Sequence, residues 1–184
     1  VNVAAQQFDN ISQLVNNVKA VLTETGLDPQ WLELEINESA SMKDAEVTKA
    51  IVSELRAIGV QIAIDDFGTG YSSLSQLHRI PFTELKIDQS FVMTMLEEDE
   101  SRAIVETCIM LGHRLRMAVV AEGVETVEQL HALRELGCDE IQGYLLADSK
   151  YMQIYQAGRS SMLTQLDGGG DGASVLTAAL KEWN

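Results

Sequence analysis

Two adjacent carboxylates, Asp65 and Asp66, follow the apolar run Ile62 to Ile64 and precede the glycine-rich turn of QIAIDDFGTGYSSL. Neighbouring acids repel each other, and a folded chain keeps such a pair where a cation or a proton offsets the charge. At the end of a buried strand the usual offset is a divalent metal held by hard oxygen ligands. The plainer alternative is a solvated strand-to-loop transition, where aspartate and glycine are common. Further polar residues stand at the ends of other apolar runs: Asn2, Glu35 and Glu38, Lys86, Glu122 and Glu125, and Gln142. Strand-end carboxylates with a lysine suit a metal-dependent enzyme acting on a phosphorylated or carboxylated substrate. Phosphodiester hydrolysis and proton abstraction of the enolase kind both remain open on these residues. The simpler reading of Lys86 is a surface pair with Asp88, and that of Glu122 and Glu125 is a pair of charges favoured by a helix N-terminus.

Those residues need elements to carry them. Short apolar runs read as strands over Val1 to Ala4, Leu32 to Ile36, Val60 to Ile64, Glu84 to Ile87, Ala118 to Ala121 and Glu140 to Gln142. Helical periodicity falls between them. Ile11, Leu14, Val15, Val18, Val21 and Leu22 share one face of a helix that stops at Gly26, and Val47, Ile51, Leu55 and Ile58 share one that stops at Gly59. A third helix runs through Ile104, Val105, Cys108 and Leu111. A fourth opens with Thr126 and Gln129 as a capping box and buries Val127, Leu130, Leu133 and Leu136. Alternation of this kind implies an α/β fold with a parallel sheet, either doubly wound or a TIM-type (β/α)8 barrel. Polar side chains at the ends of many strands favour the barrel, whose mouth gathers them. About six strand–helix units are visible, so the barrel is expected to be incomplete in these 184 residues. After Ala147 the pattern fades into an expected helix over Lys150 to Leu166, a linker at DGGGDG and a short terminal helix. The division expected is a partial barrel over residues 1–149 and a tail over 150–184.

The charge excludes some partners. With 13 basic and 28 acidic residues, a formal charge of -15, the chain is unsuited to non-specific binding of DNA, RNA or an anionic membrane. A phosphate substrate must be attracted locally, by metal ions or a placed lysine. Cys108 and Cys138 form no CxxC pair and are expected to be reduced thiols in a cytoplasmic protein. His78, His113 and His131 lack ligand spacing. Phe67 and Tyr71 are expected to pack the loop, and Met93, Met95, Met110 and Met117 to fill the core. No apolar run reaches transmembrane length and no signal peptide is evident. The opening VNVAAQQF has no initiator methionine and reads as a sequence entered in the middle.

VNVAAQQF, LELEINES, IAIDDFGTGYSSL, ELKIDQSFV, VVAEGVET and GCDEIQGY occur in the order and approximate spacing of one family. By these motifs the chain, from Val1 to about Leu146, resembles the EAL domain of bacterial cyclic di-GMP phosphodiesterases. The resemblance implies a TIM barrel using two Mg2+ or Mn2+ ions to convert cyclic di-GMP to the linear dinucleotide pGpG. It implies metal ligands at Asn2, Glu35, Asp65, Asp66 and Glu122, and catalytic roles for Glu122, Lys86 and Asp65. Glu125 and Gln142 are similar to residues that contact the nucleotide or shape its pocket. Glu38 is similar to the glutamate that steadies the DDFGTG loop, through which the family forms homodimers. The resemblance also implies a cytoplasmic domain, in a family whose members often carry sensory or membrane domains.

Departures temper the expected activity. No Glu-Ala-Leu tripeptide occurs, so the glutamate ligand of that motif and its nearby phosphate-binding arginine are expected upstream, and the chain alone is expected to bind metal weakly and turn over little. Asn37 replaces the usual threonine, an exchange expected to be tolerated. LLADSK after QGY lacks the family's arginine–proline pattern. The alternative function is a catalytically silent EAL-like module that binds cyclic di-GMP or dimerises in bacterial signalling.

Overall fold

The apolar runs become parallel strands in a computed structural model that describes residues 1–3, 11–70 and 74–147. β1 (Glu33–Asn37), β2 (Gln61–Phe67), β3 (Glu84–Ile87), β4 (Ala118–Ala121) and β5 (Glu140–Ile141) form one sheet in chain order. Ile62, Ala63 and Ile64 are all fully buried. A strand covered on both faces reads as a continuous apolar run instead of alternating. The first expected strand is reduced, among the described residues, to a parallel bridge between Asn2 and Glu35. Among the described residues, five strands and that bridge therefore stand where six strands were expected.

The chain divides into two compact units, Val1–Asp88 with Thr107–Val119 and Gln89–Glu106 with Val120–Asn184. In the first unit, α1 (Ile11–Thr25) precedes a 3-10 turn at Pro29–Trp31. Its buried stripe is Leu14, Val15, Val18 and Leu22, whereas Val21 turns to solvent instead of joining the expected face. α2 (Glu38–Lys43) and α3 (Ala45–Ile58) connect β1 to β2. Asp44 caps α3 by accepting the Val47 N–H at 3.1 Å, and Gly59, at φ 102°, ends it. Only glycine takes that left-handed turn without strain, which is why the stop was visible in the sequence. α3 buries Thr48, Ile51, Val52 and Leu55. α4 (Leu74–Leu77) leads to β3.

Strand pairing sets Glu35 beside Ala63 and Asn37 beside Asp65. From β2 to β3, Ile64 pairs with Leu85 and Phe67 with Ile87, with a register shift between Ile64 and Phe67. That irregularity contains both aspartates, and Asp66 adopts φ 54°. The expected end of the strand at Ile64 is thus corrected. β2 continues through Asp65 and Asp66 to Phe67, a buried strand residue and not part of a loop. Tyr71 lies outside the described residues, as do the expected helix, linker and tail after residue 147.

α6 (Asp99–Arg114) follows α5 (Gln89–Thr94) and begins in the second unit. There Val120 pairs with Glu140 and Ala121 with Ile141. α7 (Val127–Glu135) carries the expected capping box, in which Thr126 accepts the Gln129 N–H and Gln129 returns to the Thr126 N–H. It buries Gln129, Leu130, Ala132 and Leu133, leaving Val127 and Leu136 only half-buried. The Gln129 amide also donates to the Val92 carbonyl at 3.3 Å, tying the helix start to α5. α8 (Tyr144–Ala147) ends the described chain. Met95 and Met117 are buried as expected, but Met93 and Met110 are exposed, which corrects their reading as core filler. Single turns such as α2, α4, α5 and α8 are too short for a 3.6-residue repeat to announce them.

Candidate active site

β1, β2 and β3 bring Glu35, Asp65 and Lys86 together at one place in the first unit. Lys86 is 3% exposed, and its Nζ lies 2.7 Å from Glu35 Oε1 and 3.9 Å from Asp65 Oδ1. The lysine reaches across β2 to a carboxylate two strands away, a span that its four-carbon stem allows. The surface position considered from the sequence is corrected, because Lys86 is buried, and Glu35 is the nearer of the two carboxylates that pair with it here. Asn2 is bridged beside Glu35, with the Val3 N–H donating to the Glu35 carbonyl at 2.9 Å.

Asp66 has a different environment. The Asp65 Oδ1 accepts the Asp66 N–H at 3.0 Å, which keeps the two acids side by side despite the strand irregularity. In an unbroken strand their side chains would point to opposite faces. Burial pushes the Asp66 carboxyl above its ordinary range, and the charges of Asp65 and Asp88 push it further. A hydrogen bond donated by Asn37 Nδ2 to Asp66 Oδ2 acts in the other direction. Asp88 and Asn37 were not among the residues singled out from the sequence for this site. Asn37 had one available signal: a side chain that can cap, standing just before a helix.

Glu38 is 2% exposed and belongs to the same unit, but it serves the turn after β2. Its Oε2 accepts the Gly68 N–H at 3.0 Å and the Gly70 N–H at 3.2 Å. A buried carboxylate is tolerable when backbone donors satisfy it. A side chain at Gly70 would put its Cβ 2.9 Å from Glu38 Oε1, so the sequence keeps glycine there.

Glu122, Glu125 and Gln142 lie in the second unit. Glu122 follows the end of β4 and is half-buried, while Glu125 is exposed. Gln129 Oε1 accepts the N–H groups of Glu125 at 2.8 Å and Thr126 at 3.0 Å, so one buried amide organises the turn after Glu122. The Gln142 N–H donates to the Ala121 carbonyl at 2.8 Å and its carbonyl accepts the Val124 N–H at 3.1 Å. The QGY and EGV segments therefore run together, with the Gln142 side chain exposed.

The donor set of the first unit suits a hard divalent cation. Its polar groups are carboxylates, and Asn2, bridged through its backbone to Glu35 and exposed, is the amide that the sequence adds to them. Both cysteines are buried free thiols. Asp65 and Asp88, which add to the effect of burial on Asp66, form a negative excess that a bound cation would relieve.

Parallel strands that bring acids and a buried lysine to their ends place the chain among α/β proteins with a barrel-type, metal-suited site. The EAL domain family model matches residues 1–149, and the chain belongs to that family. Its fold class is accordingly the incomplete TIM-type α/β barrel expected from the sequence. The chain is 46% identical over 146 residues to the bifunctional diguanylate cyclase/cyclic di-GMP phosphodiesterase MucR of Pseudomonas aeruginosa, covering 79% of this chain and 21% of that protein. It is 43% identical over 147 residues to the cyclic di-GMP phosphodiesterase NbdA of the same organism, covering 80% of this chain and 19% of NbdA. Among solved structures it is similar to the MucR phosphodiesterase in complex with cyclic di-GMP, with a TM-score of 0.76, covering 79% of this chain and 59% of that one. It is also similar to Klebsiella pneumoniae BlrP1 in a manganese/cyclic di-GMP complex, at 31% identity and a TM-score of 0.72, covering 79% of this chain and 37% of that one. The chain thus spans about a fifth of the curated relatives it matches. Among the described residues, no helix is long and apolar enough to cross a membrane.

Proposed function

We propose that these residues belong to a phosphodiesterase domain that hydrolyses cyclic di-GMP to pGpG with two divalent ions, Mg2+ or Mn2+. The observation that carries this reading is the buried Lys86 ammonium between Glu35 and Asp65 at the ends of neighbouring parallel strands, beside the charge-stressed Asp66. Family membership and the cyclic di-GMP complexes of similar structures support the choice of substrate.

In this reading Asn2, Glu35, Asp65, Asp66 and Glu122 would hold the two ions. The ions, when bound, neutralise non-bridging phosphate oxygens and make a water molecule more acidic. Glu122 takes the proton from the attacking water, whose oxygen bonds to phosphorus as the bond to the 3′ oxygen breaks. The 3′ oxygen takes up that proton from Glu122 and leaves as a hydroxyl, and the product carries a 5′ phosphate. Lys86 orients the water and offsets developing negative charge from a buried position. Glu125 and Gln142 contact the nucleotide. Glu38 keeps the DDFGTG turn in one shape, and that turn is the face for a homodimer. The working compartment is the cytoplasm, where cyclic di-GMP is a second messenger. Because no Glu-Ala-Leu tripeptide occurs in the 184 residues, the chain by itself turns over weakly or not at all.

The test is hydrolysis of cyclic di-GMP by this chain in Mg2+ or Mn2+, with pGpG resolved by chromatography and Glu122→Gln as the control. Slow turnover that disappears in the control supports the reading. Tight cyclic di-GMP binding with no pGpG in either ion, even when the chain is supplied with an EAL-bearing segment, favours the silent binding module instead.

A further inference from the structure

Asn37 stands where β1 passes into α2, and both ends of its amide are engaged. Oδ1 accepts the Ser39 N–H at 3.0 Å, which makes Asn37 the N-cap of α2. Nδ2 donates to Asp66 Oδ2. The two bonds fix the amide's orientation jointly, because an N–H donor can meet only the oxygen and a carboxylate oxygen can meet only the nitrogen. A cap needs only an oxygen, which serine, threonine or aspartate supplies as well. The nitrogen is not needed for the cap, and its partner is Asp66.

Asp66 is a carboxylate whose charge such a donor favours. Its backbone is left-handed at φ 54°, within the irregular stretch of β2, and Asp65 and Asp88 both repel its charge. Nothing in the strand pairing by itself selects one carboxylate rotamer there. The residue after Asn37 is Glu38, which holds Gly68 and Gly70, so the cap also lies at the root of the turn that follows Asp66.

We propose that Asn37 is a positioning residue that holds the Asp66 carboxylate in the orientation in which it takes a divalent cation. The inference rests on the metal-dependent reading above and adds to it a residue outside the ligand set. Side chains that orient a ligand commonly change metal affinity about 10- to 100-fold when removed.

The experiment uses the 184-residue chain with Mn2+ alone as the probe, free ion being counted by electron paramagnetic resonance. Asn37→Ser keeps an oxygen for the cap and removes the amide nitrogen. It is expected to weaken Mn2+ binding about tenfold while the thermal unfolding midpoint stays close to that of the unaltered chain. In an Asp66→Ala background the same Asn37→Ser change is expected to leave Mn2+ affinity unaltered, which a merely structural role would not produce. Independently of metal, the Asn37 side-chain amide protons should be protected from solvent exchange, and Asp66→Ala should release them. Equal Mn2+ affinity with and without Asn37→Ser, or an equal loss in both backgrounds, overturns the role of Asn37 and leaves the metal reading standing. No Mn2+ binding by the unaltered chain overturns the metal reading and the positioning role with it.

Discussion

Lys86→Met keeps most of the aliphatic stem and deletes the ammonium that Glu35 and Asp65 share. At an effective dielectric constant of about 20, a unit charge 2.7 Å from Glu35 interacts by roughly 6 kcal/mol, and one 3.9 Å from Asp65 by roughly 4 kcal/mol. Desolvating the lysine takes back several kcal/mol of that sum. Breaking one side of a buried pair costs about 3–5 kcal/mol, because the remaining charge stays buried without compensation. The two carboxylates keep 17% and 15% of their exposure, so the cost belongs at the low end, about 3 kcal/mol. For a chain of this size that lowers the unfolding midpoint by about 6–12 °C. The assay is thermal unfolding of Lys86→Met, Glu35→Gln and the double variant without metal, repeated with Mn2+. The double variant should lie closer to the unaltered chain than Lys86→Met does, because Glu35→Gln removes a carboxylate that has lost its partner. Mn2+ should recover more stability in Lys86→Met than it adds to the unaltered chain. A fall of less than about 2 °C, or a double variant less stable than Lys86→Met, would refute the view that one ammonium holds both acids.

Three further outcomes follow from the same geometry. The Asp66 carboxyl is held above its ordinary value of 3.8, so the folded chain keeps this proton where the unfolded chain has released it, and stability falls as pH rises through that window. Asp66→Asn should therefore raise the melting temperature of the metal-free chain at pH 7 and give no gain near pH 3, and equal shifts at both would contradict the electrostatic cause; asparagine also accepts the left-handed backbone. Gly143→Ala would place a Cβ 2.2 Å from the Val124 carbonyl oxygen and 2.3 Å from its nitrogen, contacts that only backbone movement can relieve. Urea unfolding should show a loss of about 2 kcal/mol or more, and a neutral result would mean that the EGV and QGY segments are not in this contact. Burial pushes the Cys108 thiol to about 11 and the Cys138 thiol to about 12, so neither should react with a disulfide reagent at pH 8 until the chain is denatured. Rapid labelling of either thiol in the native chain would show that it is not enclosed.

The sequence by itself determined what depends on a few neighbouring residues. Gly59 stopped α3 because its left-handed turn is a local property, and Thr126 with Gln129 announced α7 because a capping box lies within four positions. The run Ile62 to Ile64 reported a buried strand, and the acids after it reported a need for compensating charge. The motifs over Val1 to about Leu146 carried the family, later matched over residues 1–149. Tertiary structure alone decided which side chains meet. Register brought Lys86 to Glu35, 51 positions away, when the nearer Asp88 was the partner open to sequence reasoning. An irregular pairing carried β2 past both aspartates, and it set Asn37, read as a neutral exchange, against Asp66 across 29 residues. Met93 and Met110 turned outward because a residue type states a preference for burial and not the face on which it lies. Caps and periodic faces are written into a few consecutive residues. The charge balance of the site depends on strand register, which is settled only when segments far apart in the chain pack together.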